Sequence, residues 1–319
     1  MKKRTSRIIL IVVLSILGLL IVADIIVSFG MVKYALQPPV AVGNKDMSKE
    51  VALMKDFYHT WDWFDDLQQR GLMKDTTILD FRGKAKLQGY LCPAETDSKR
   101  TAVIMHGYIS SPLSMMHVAR MFRDSLGFNV MVPGQYAHRL CEGDAIQMGW
   151  FDRLNMEKWS ALGHEIFGDT LQVYHGISMG GATVMMASGD DLPPYVKAIV
   201  EDCGYTDVWD QFILSLRQMH LPVAVLATSD LITKLRYGWG FKEASSVKQL
   251  KKSTLPILFI HGDNDDFVPT EMVYRNYEAK TRGYKELWLG EGSTHGTTIL
   301  DHPAEYTDKV RDFLERHVY

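Results

Sequence analysis

The apolar residues of this chain fall into four textures along its length. The first is a solid block, Ile8–Met31, about 24 residues broken by one charge, Asp24, and preceded by Lys2, Lys3, Arg4 and Arg7. A helix of about 20 apolar residues spans a bilayer core. A secretory signal has a shorter apolar stretch, about 7–15 residues, closed by a small-residue cleavage site. Val22-Ala23 and Ser28-Phe29-Gly30 are poor versions of such a site, so the block predicts an uncleaved anchor with its N-terminus cytoplasmic and Asp24 near the outer interface. The second texture is helical: Leu53, Phe57, Trp61, Phe64 and Leu67 make one apolar stripe, expected to dock on the domain. The third is a set of short continuous runs, Ala102–Met105, Leu171–His175, Leu255–Ile260 and Glu286–Leu289, which predict strands. The fourth interrupts that strand rhythm between Tyr205 and Lys252, where helix-like Val208–Gln218 is followed by Leu221-Pro222 and a second apolar helix near Val223–Arg236.

These textures divide the chain into a basic stub and anchor at 1–31, a linker at 32–48 containing Pro38-Pro39, and one α/β domain at 49–319 with a short cap at about 205–252. There is no internal repeat. A formal charge of −3 gives no basic footprint for nucleic acid. Three cysteines, Cys92, Cys141 and Cys203, exclude a disulfide framework. A thiol nucleophile at Cys141 or Cys203 is a sharper alternative, but neither sits in an elbow-like setting.

The turns that close the strand runs hold the chemistry. Gly176-Ile177-Ser178-Met179-Gly180 follows a strand and precedes Gly181–Ala187, a helix that opens with small residues. A Gly-x-Ser-x-Gly arises by chance in about one chain in ten of this length, and Ser178 could simply cap the helix. Its partners decide the matter. Leu255–Ile260 runs into His261-Gly262-Asp263-Asn264-Asp265-Asp266-Phe267-Val268-Pro269, and Glu286–Leu289 is followed by Gly292-Ser293-Thr294-His295-Gly296. Serine, aspartate and histidine in that order, each in a loop after a strand, form the chain order of an α/β-hydrolase triad. The acidic turn lacks the ligand spacing of a calcium loop. No His-Glu-x-x-His or paired-cysteine motif suggests a metal, and no cofactor is expected.

Over residues 72–318 the chain resembles the α/β-hydrolase fold serine hydrolases, in their esterase-like and prolyl-oligopeptidase-like branch. His261-Gly262-x-x-Asp265-x-x-Val268-Pro269 is similar to a family pattern whose aspartate belongs to the triad, which favours Asp265 over Asp263 and Asp266. Ala102–Tyr108, a strand ending in His106-Gly107, is similar to the start of the family's oxyanion loop. The resemblance implies an α/β fold: a mostly parallel, doubly wound sheet of about eight strands with a short helical cap. It implies catalysis by Ser178, Asp265 and His295, with the backbone N–H groups of Tyr108 and Met179 as oxyanion donors. His106 and His175 are expected to be structural. One stretch departs from the pattern: in Tyr136–Gly143, Arg139 and Cys141 stand where the family often has glycine and serine. Trp209, Phe212, Leu216, Met219 and Trp239 could line a pocket, although at least half are expected to be core. A small-molecule carboxylic ester is the first substrate expectation and a peptide the second. Acyl transfer and a non-catalytic binding scaffold are further alternatives. The chain does not specify an oligomeric state.

Overall fold

In the computed structural model, which describes residues 2–319, the short apolar runs become three central strands and one edge strand of an eight-stranded sheet. The strands are β1 (Lys74–Leu79), β2 (Lys86–Cys92), β3 (Arg100–Met105), β4 (Asn129–Pro133), β5 (Leu171–Ile177), β6 (Val196–Asp202), β7 (Ile257–Gly262) and β8 (Lys285–Gly290). Their spatial order is β1-β2-β4-β3-β5-β6-β7-β8. β2 pairs antiparallel with both β1 and β4, and from β4 onward every pairing is parallel. β3–β7 are covered on both faces, which is why they read as unbroken apolar runs and not as alternations. The pleat sorts their residues: Val173, Ala198 and Val200 join one core layer, Tyr174 and Ile199 the other. Strand order reverses at β3, which has β4 on one side and β5 on the other, so a crevice opens beyond the carboxyl ends of β3 and β5.

The helices are α1 (Lys2–Leu36), α2 (Ser48–Asp56), α3 (Trp61–Gln69), α4 (Met116–Arg120), α5 (Asp152–Phe167), α6 (Met179–Ala187), α7 (Val208–Gln218), α8 (Val225–Tyr237), α9 (Ser246–Leu250), α10 (Glu271–Ala279), α11 (Thr298–Asp301) and α12 (Pro303–His317). In α7, Asp207 caps the start by accepting from the N–H of Asp210, and Val208, Phe212 and Leu216, four residues apart, are buried. α8 stops at Gly238, which is left-handed (φ 82°).

Two expectations change. The stripe from Leu53 to Leu67 is two helices: the chain breaks at His59, a non-glycine residue at φ 51°. Phe64 and Leu67 are buried, whereas Leu53 and Phe57 face outward. The segment 32–48, expected as a linker, is anchored on the domain at three of its residues. α1 runs on to Leu36 because nothing stops a helix until Pro38, which disfavours helical backbone at the residue before it. Val32, Leu36 and Ala41 are buried. The carbonyl of Leu36 accepts from the N–H of Ile146 at 2.7 Å, and that of Ala41 from the N–H of Arg139 at 3.0 Å. Ser28 Oγ donates to the carbonyl of Val225 at 3.1 Å, tying α1 to α8.

Candidate active site

Ser178 stands on the turn between β5 and α6 with φ 61° and ψ −120°, a sparsely populated conformation for a residue with a side chain. The turn needs its glycines. A Cβ on Gly176 would lie 2.2 Å from Gly180, and one on Gly180 would lie 2.1 Å from the carbonyl oxygen of Met105. This crowding lifts Ser178 above the sheet edge. Its N–H is held by the carbonyl of Asp202 at 2.8 Å.

The structure brings the three sequence-predicted residues together. His295 Nε2 lies 2.8 Å from Ser178 Oγ, and His295 Nδ1 lies 2.8 Å from Asp265 Oδ2. The second carboxylate oxygen of Asp265 accepts the N–H groups of Phe267 and Val268, each at 3.0 Å. His261 Nε2 lies 2.8 Å from the carbonyl of Val268 and 3.3 Å from Asp265 Oδ2. Burial opposes charge on Asp265, but the hydrogen bonds from His261, His295 and Val268 outweigh it and hold the carboxyl well below its usual range. With an ionised Asp265 accepting the hydrogen bond from Nδ1–H, His295 presents the Nε2 lone pair to the serine hydroxyl. In such an arrangement the hydroxyl can lose its proton as it attacks.

The proposed oxyanion donors flank the serine. Met179 is the first residue of α6, so its N–H has no partner within the helix. The position a Cβ would take on Gly107 lies 3.5 Å from Ser178 Cβ, which brings the Gly107-Tyr108 backbone against the serine. His106 is fully buried. Its Nδ1 donates to the carbonyl of Gly107 at 2.8 Å, and its Nε2 accepts from the N–H of Gln135 at 3.1 Å. Burial keeps its pKa well below the ordinary histidine value. It is a neutral brace for the loop. Tyr108 hydroxyl donates to the carbonyl of Ala35 in α1 at 2.8 Å.

Around this centre lies a layer of buried polar groups that no local sequence pattern announces. His175 Nε2 lies 2.8 Å from the hydroxyl of Tyr306, which donates to Asp202 Oδ2 at 3.1 Å. Burial drives His175 down to about 3 and Asp202 up to about 6, and it lifts Glu201 well above the carboxylate range. Cys203 Sγ lies with Asp265 and His295 inside a 4.8 Å cluster, a grouping that could suggest a metal. Burial and the carboxyls of Asp202 and Asp265 push its thiol well above the ordinary value. The imidazole and carboxylate are already bonded to each other, so the set does not suit a cation. Cys141 is also buried, pushed to about 12, with its sulfur against the backbone of Gln88.

The departing loop has a structural explanation. Arg139 forms a buried ion pair with Glu50 of α2 at 2.5 Å. Of the residues expected to line a pocket, Phe212, Leu216 and Trp239 are buried in the cluster beneath the cap, where Phe212 and Trp239 pack on Phe241. Trp209 is half-buried under the Lys242 ammonium, and Met219 is exposed.

Together the sheet order, the elbow and the hydrogen-bonded Ser-His-Asp set define an α/β-hydrolase fold with serine-hydrolase geometry. The chain belongs to the prolyl oligopeptidase family, whose profile matches residues 155–318, within the α/β-hydrolase serine hydrolases. It is 27% identical over 274 residues to the uncharacterized protein YqkD of Bacillus subtilis, covering 85% of this chain and 88% of that protein. It is 23% identical over 239 residues to Protein bem46 of Schizosaccharomyces pombe, covering 73% and 74%. Among solved structures, Pyrococcus furiosus esterase Pf2001 superposes with a TM-score of 0.64 at 21% identity, over 79% of this chain and 96% of that one. Pyrococcus horikoshii acylaminoacyl peptidase superposes with a TM-score of 0.56 at 15% identity, over 79% of this chain and 43% of that one. These two likenesses concern the fold.

Proposed function

We propose that this chain is a membrane-anchored serine hydrolase that cleaves carboxylic esters through an acyl-enzyme at Ser178. The observation that carries the reading is the unbroken hydrogen-bond chain from Ser178 Oγ through His295 to Asp265, built on a strained elbow. Ser178 Oγ attacks the ester carbonyl carbon as its proton passes to His295 Nε2. Asp265 holds the imidazole in register and stabilises the imidazolium. The carbonyl oxygen gains the electron pair and is held by the N–H groups of Tyr108 and Met179, each such donor being worth about 3–4 kcal/mol in a transition state. Collapse of this adduct expels the alcohol, which takes the proton from His295, and water repeats the sequence to release the acid. α1 crosses the membrane with its basic end cytoplasmic and the hydrolase domain beyond the far face.

A peptide amide is the second reading, favoured by the family match itself. The same groups serve both bonds, and the acyl group must be small or medium because the cap's aromatic residues are spent on packing.

The test is fluorophosphonate labelling of the full chain in detergent beside Ser178→Ala, followed by turnover of short-chain esters and peptide amides. The full chain is used because residues 28–41 pack on the domain. Labelling of the parent alone, with ester turnover lost by a factor on the order of 10⁴ or more in Ser178→Ala, is expected. A folded parent that takes no label is a binding scaffold and ends this reading.

A further inference from the structure

We propose that the cap is a membrane-docking surface, with the outer side of α8 seated in the lipid leaflet from which α1 emerges. The inference rests on reading α1 as a membrane anchor and holds whether or not Ser178 is a nucleophile.

Length fixes where the membrane ends. Ile8–Val27 is exposed along its whole apolar run, and its 20 residues make about 30 Å of helix, the thickness of a bilayer's hydrocarbon core. The next residue, Ser28, is buried against Val225 at the start of α8. The helix therefore leaves the lipid at the point where it meets the cap. Asp24, one turn deeper, accepts a 2.5 Å hydrogen bond from the hydroxyl of Thr228. That contact carries the first turn of α8 below the level of Ser28; farther along, Ser229 meets Met31, and Arg236 and Tyr237 lie beside Lys33 and Gln37, so the helix runs along the edge of the leaflet.

The residues of α8 are arranged for such a place. Its buried side carries Val225 and Leu226 but also Ser229 and Thr233, whose hydroxyls turn back to the carbonyls of Val225 and Ser229 at 2.8 Å. Its outer side carries Leu231, 55% exposed, and Leu235, 80% exposed. These lie three and seven residues after Thr228, on the same face as the contact with Asp24. A helix between protein and water buries its leucines and exposes its hydroxyls; this one buries Ser229 and Thr233 and leaves two of its three leucines, Leu231 and Leu235, exposed. Cations and aromatics rim the stripe. A cavity of about 200 Å³ between α1 and α8 is lined by Phe29, Val32, Lys33, Gln37, Arg236 and Tyr237. Neither Lys33 nor Arg236 has a carboxylate partner among the described residues. Basic and tyrosine side chains over an apolar face match phospholipid headgroups above acyl chains.

The experiment places one nitroxide at a time on the full chain in phospholipid nanodiscs, at Leu231→Cys or Leu235→Cys, with Ile16→Cys in the anchor and Tyr284→Cys at the opposite end of the sheet as references. The three native cysteines are buried, so the parent should take up no label. Collision rates with oxygen, which concentrates in lipid, and with a nickel chelate, which stays in water, report depth. At 231 and 235 the oxygen-to-nickel ratio is expected to exceed that at Tyr284 severalfold and to approach that at Ile16. Free access of nickel to both positions would leave the cap in water and overturn the proposal. Protection from both reagents would mean that protein, such as a second copy of the chain, covers the stripe, which also overturns it. A water-like ratio at Ile16 removes the anchor, and the proposal with it.

Discussion

The backbone at Ser178 shows how closely single residues are constrained. The elbow brings Gly180 against the carbonyl of Met105, with 2.1 Å left for a β-carbon. Gly180→Ala must therefore move β3 away from α6, and we expect a loss of roughly 2–4 kcal/mol in denaturant unfolding. Beneath the elbow, Asp202 is fully buried and its Oδ1 has no hydrogen-bond partner among the described residues. Burial raises its carboxyl to about 6 from an ordinary 3.8, against the pull of His261 and His295. The sign of the linkage follows. Below pH ~4 both folded and unfolded chains keep this proton. Between pH ~4 and ~6 the unfolded chain releases it first, so folding weakens as pH rises, by about 3 kcal/mol across that window for this group alone. Asp202→Asn cannot release a proton and keeps an oxygen for the hydroxyl of Tyr306. We expect its unfolding free energy to fall less steeply than the parent's between pH 4 and 6, as read from urea curves at fixed pH steps. Equal slopes would place the ionisation of this site elsewhere.

Among the elements, the end of α1 has the largest structural consequence. Val32, Leu36 and Ala41 fill positions on the domain, and the carbonyl of Ala35 receives the hydroxyl of Tyr108 from the loop beside Ser178. A chain beginning at residue 45 lacks all four, while one beginning at 28 keeps them. Burial of Val32 and Leu36 alone contributes on the order of 3–5 kcal/mol. We expect the shorter chain to unfold at lower urea and to react more slowly with a fluorophosphonate, and the longer one to match the parent's domain in both. Matching behaviour of the two would make this segment dispensable. The sequence hid this docking because Val32, Leu36 and Ala41 are scattered among polar residues just past the apolar block, and Pro38-Pro39 reads as a flexible joint. It disclosed β3, β5 and β7 readily, since doubly covered strands are unbroken apolar runs, and the half-buried edge strand β8 through Leu287, Trp288 and Leu289; the loops after β5, β7 and β8 carry Ser178, Asp265 and His295. It could not disclose the Arg139–Glu50 pair or the link from His175 through Tyr306 to Asp202. Those partners are far apart in the chain, and no local period or motif ties one to the other.

At the scale of the molecule, the rim of the candidate site touches both the cap and α1, the two parts proposed to meet the membrane. Gln211 and Gln218 of α7 donate to the carbonyls of Phe267 and Asp266, next to Asp265, at 3.0 and 3.4 Å. On the other side, Tyr108 ties the oxyanion loop to α1. A cap seated in lipid therefore holds the rim of the cleft close to the leaflet, so an ester dissolved in the bilayer meets Ser178 at a higher local concentration than one dissolved in water. Placing a charge on the stripe separates this effect from chemistry. Leu231→Asp with Leu235→Asp leaves every contact at the serine in place, because both side chains point outward. Each exchange removes an apolar group worth about 1.5–3 kcal/mol of burial in the leaflet. Turnover of an ester of a short acid with a long-chain alcohol, carried in the bilayer, is then expected to fall about tenfold or more, since 1.4 kcal/mol is tenfold, while turnover of a short soluble ester stays at the parent's value. A parallel fall in both rates would show that α8 acts on the shape of the site and not on its supply. An unchanged ratio between them would mean that the substrate reaches Ser178 from water.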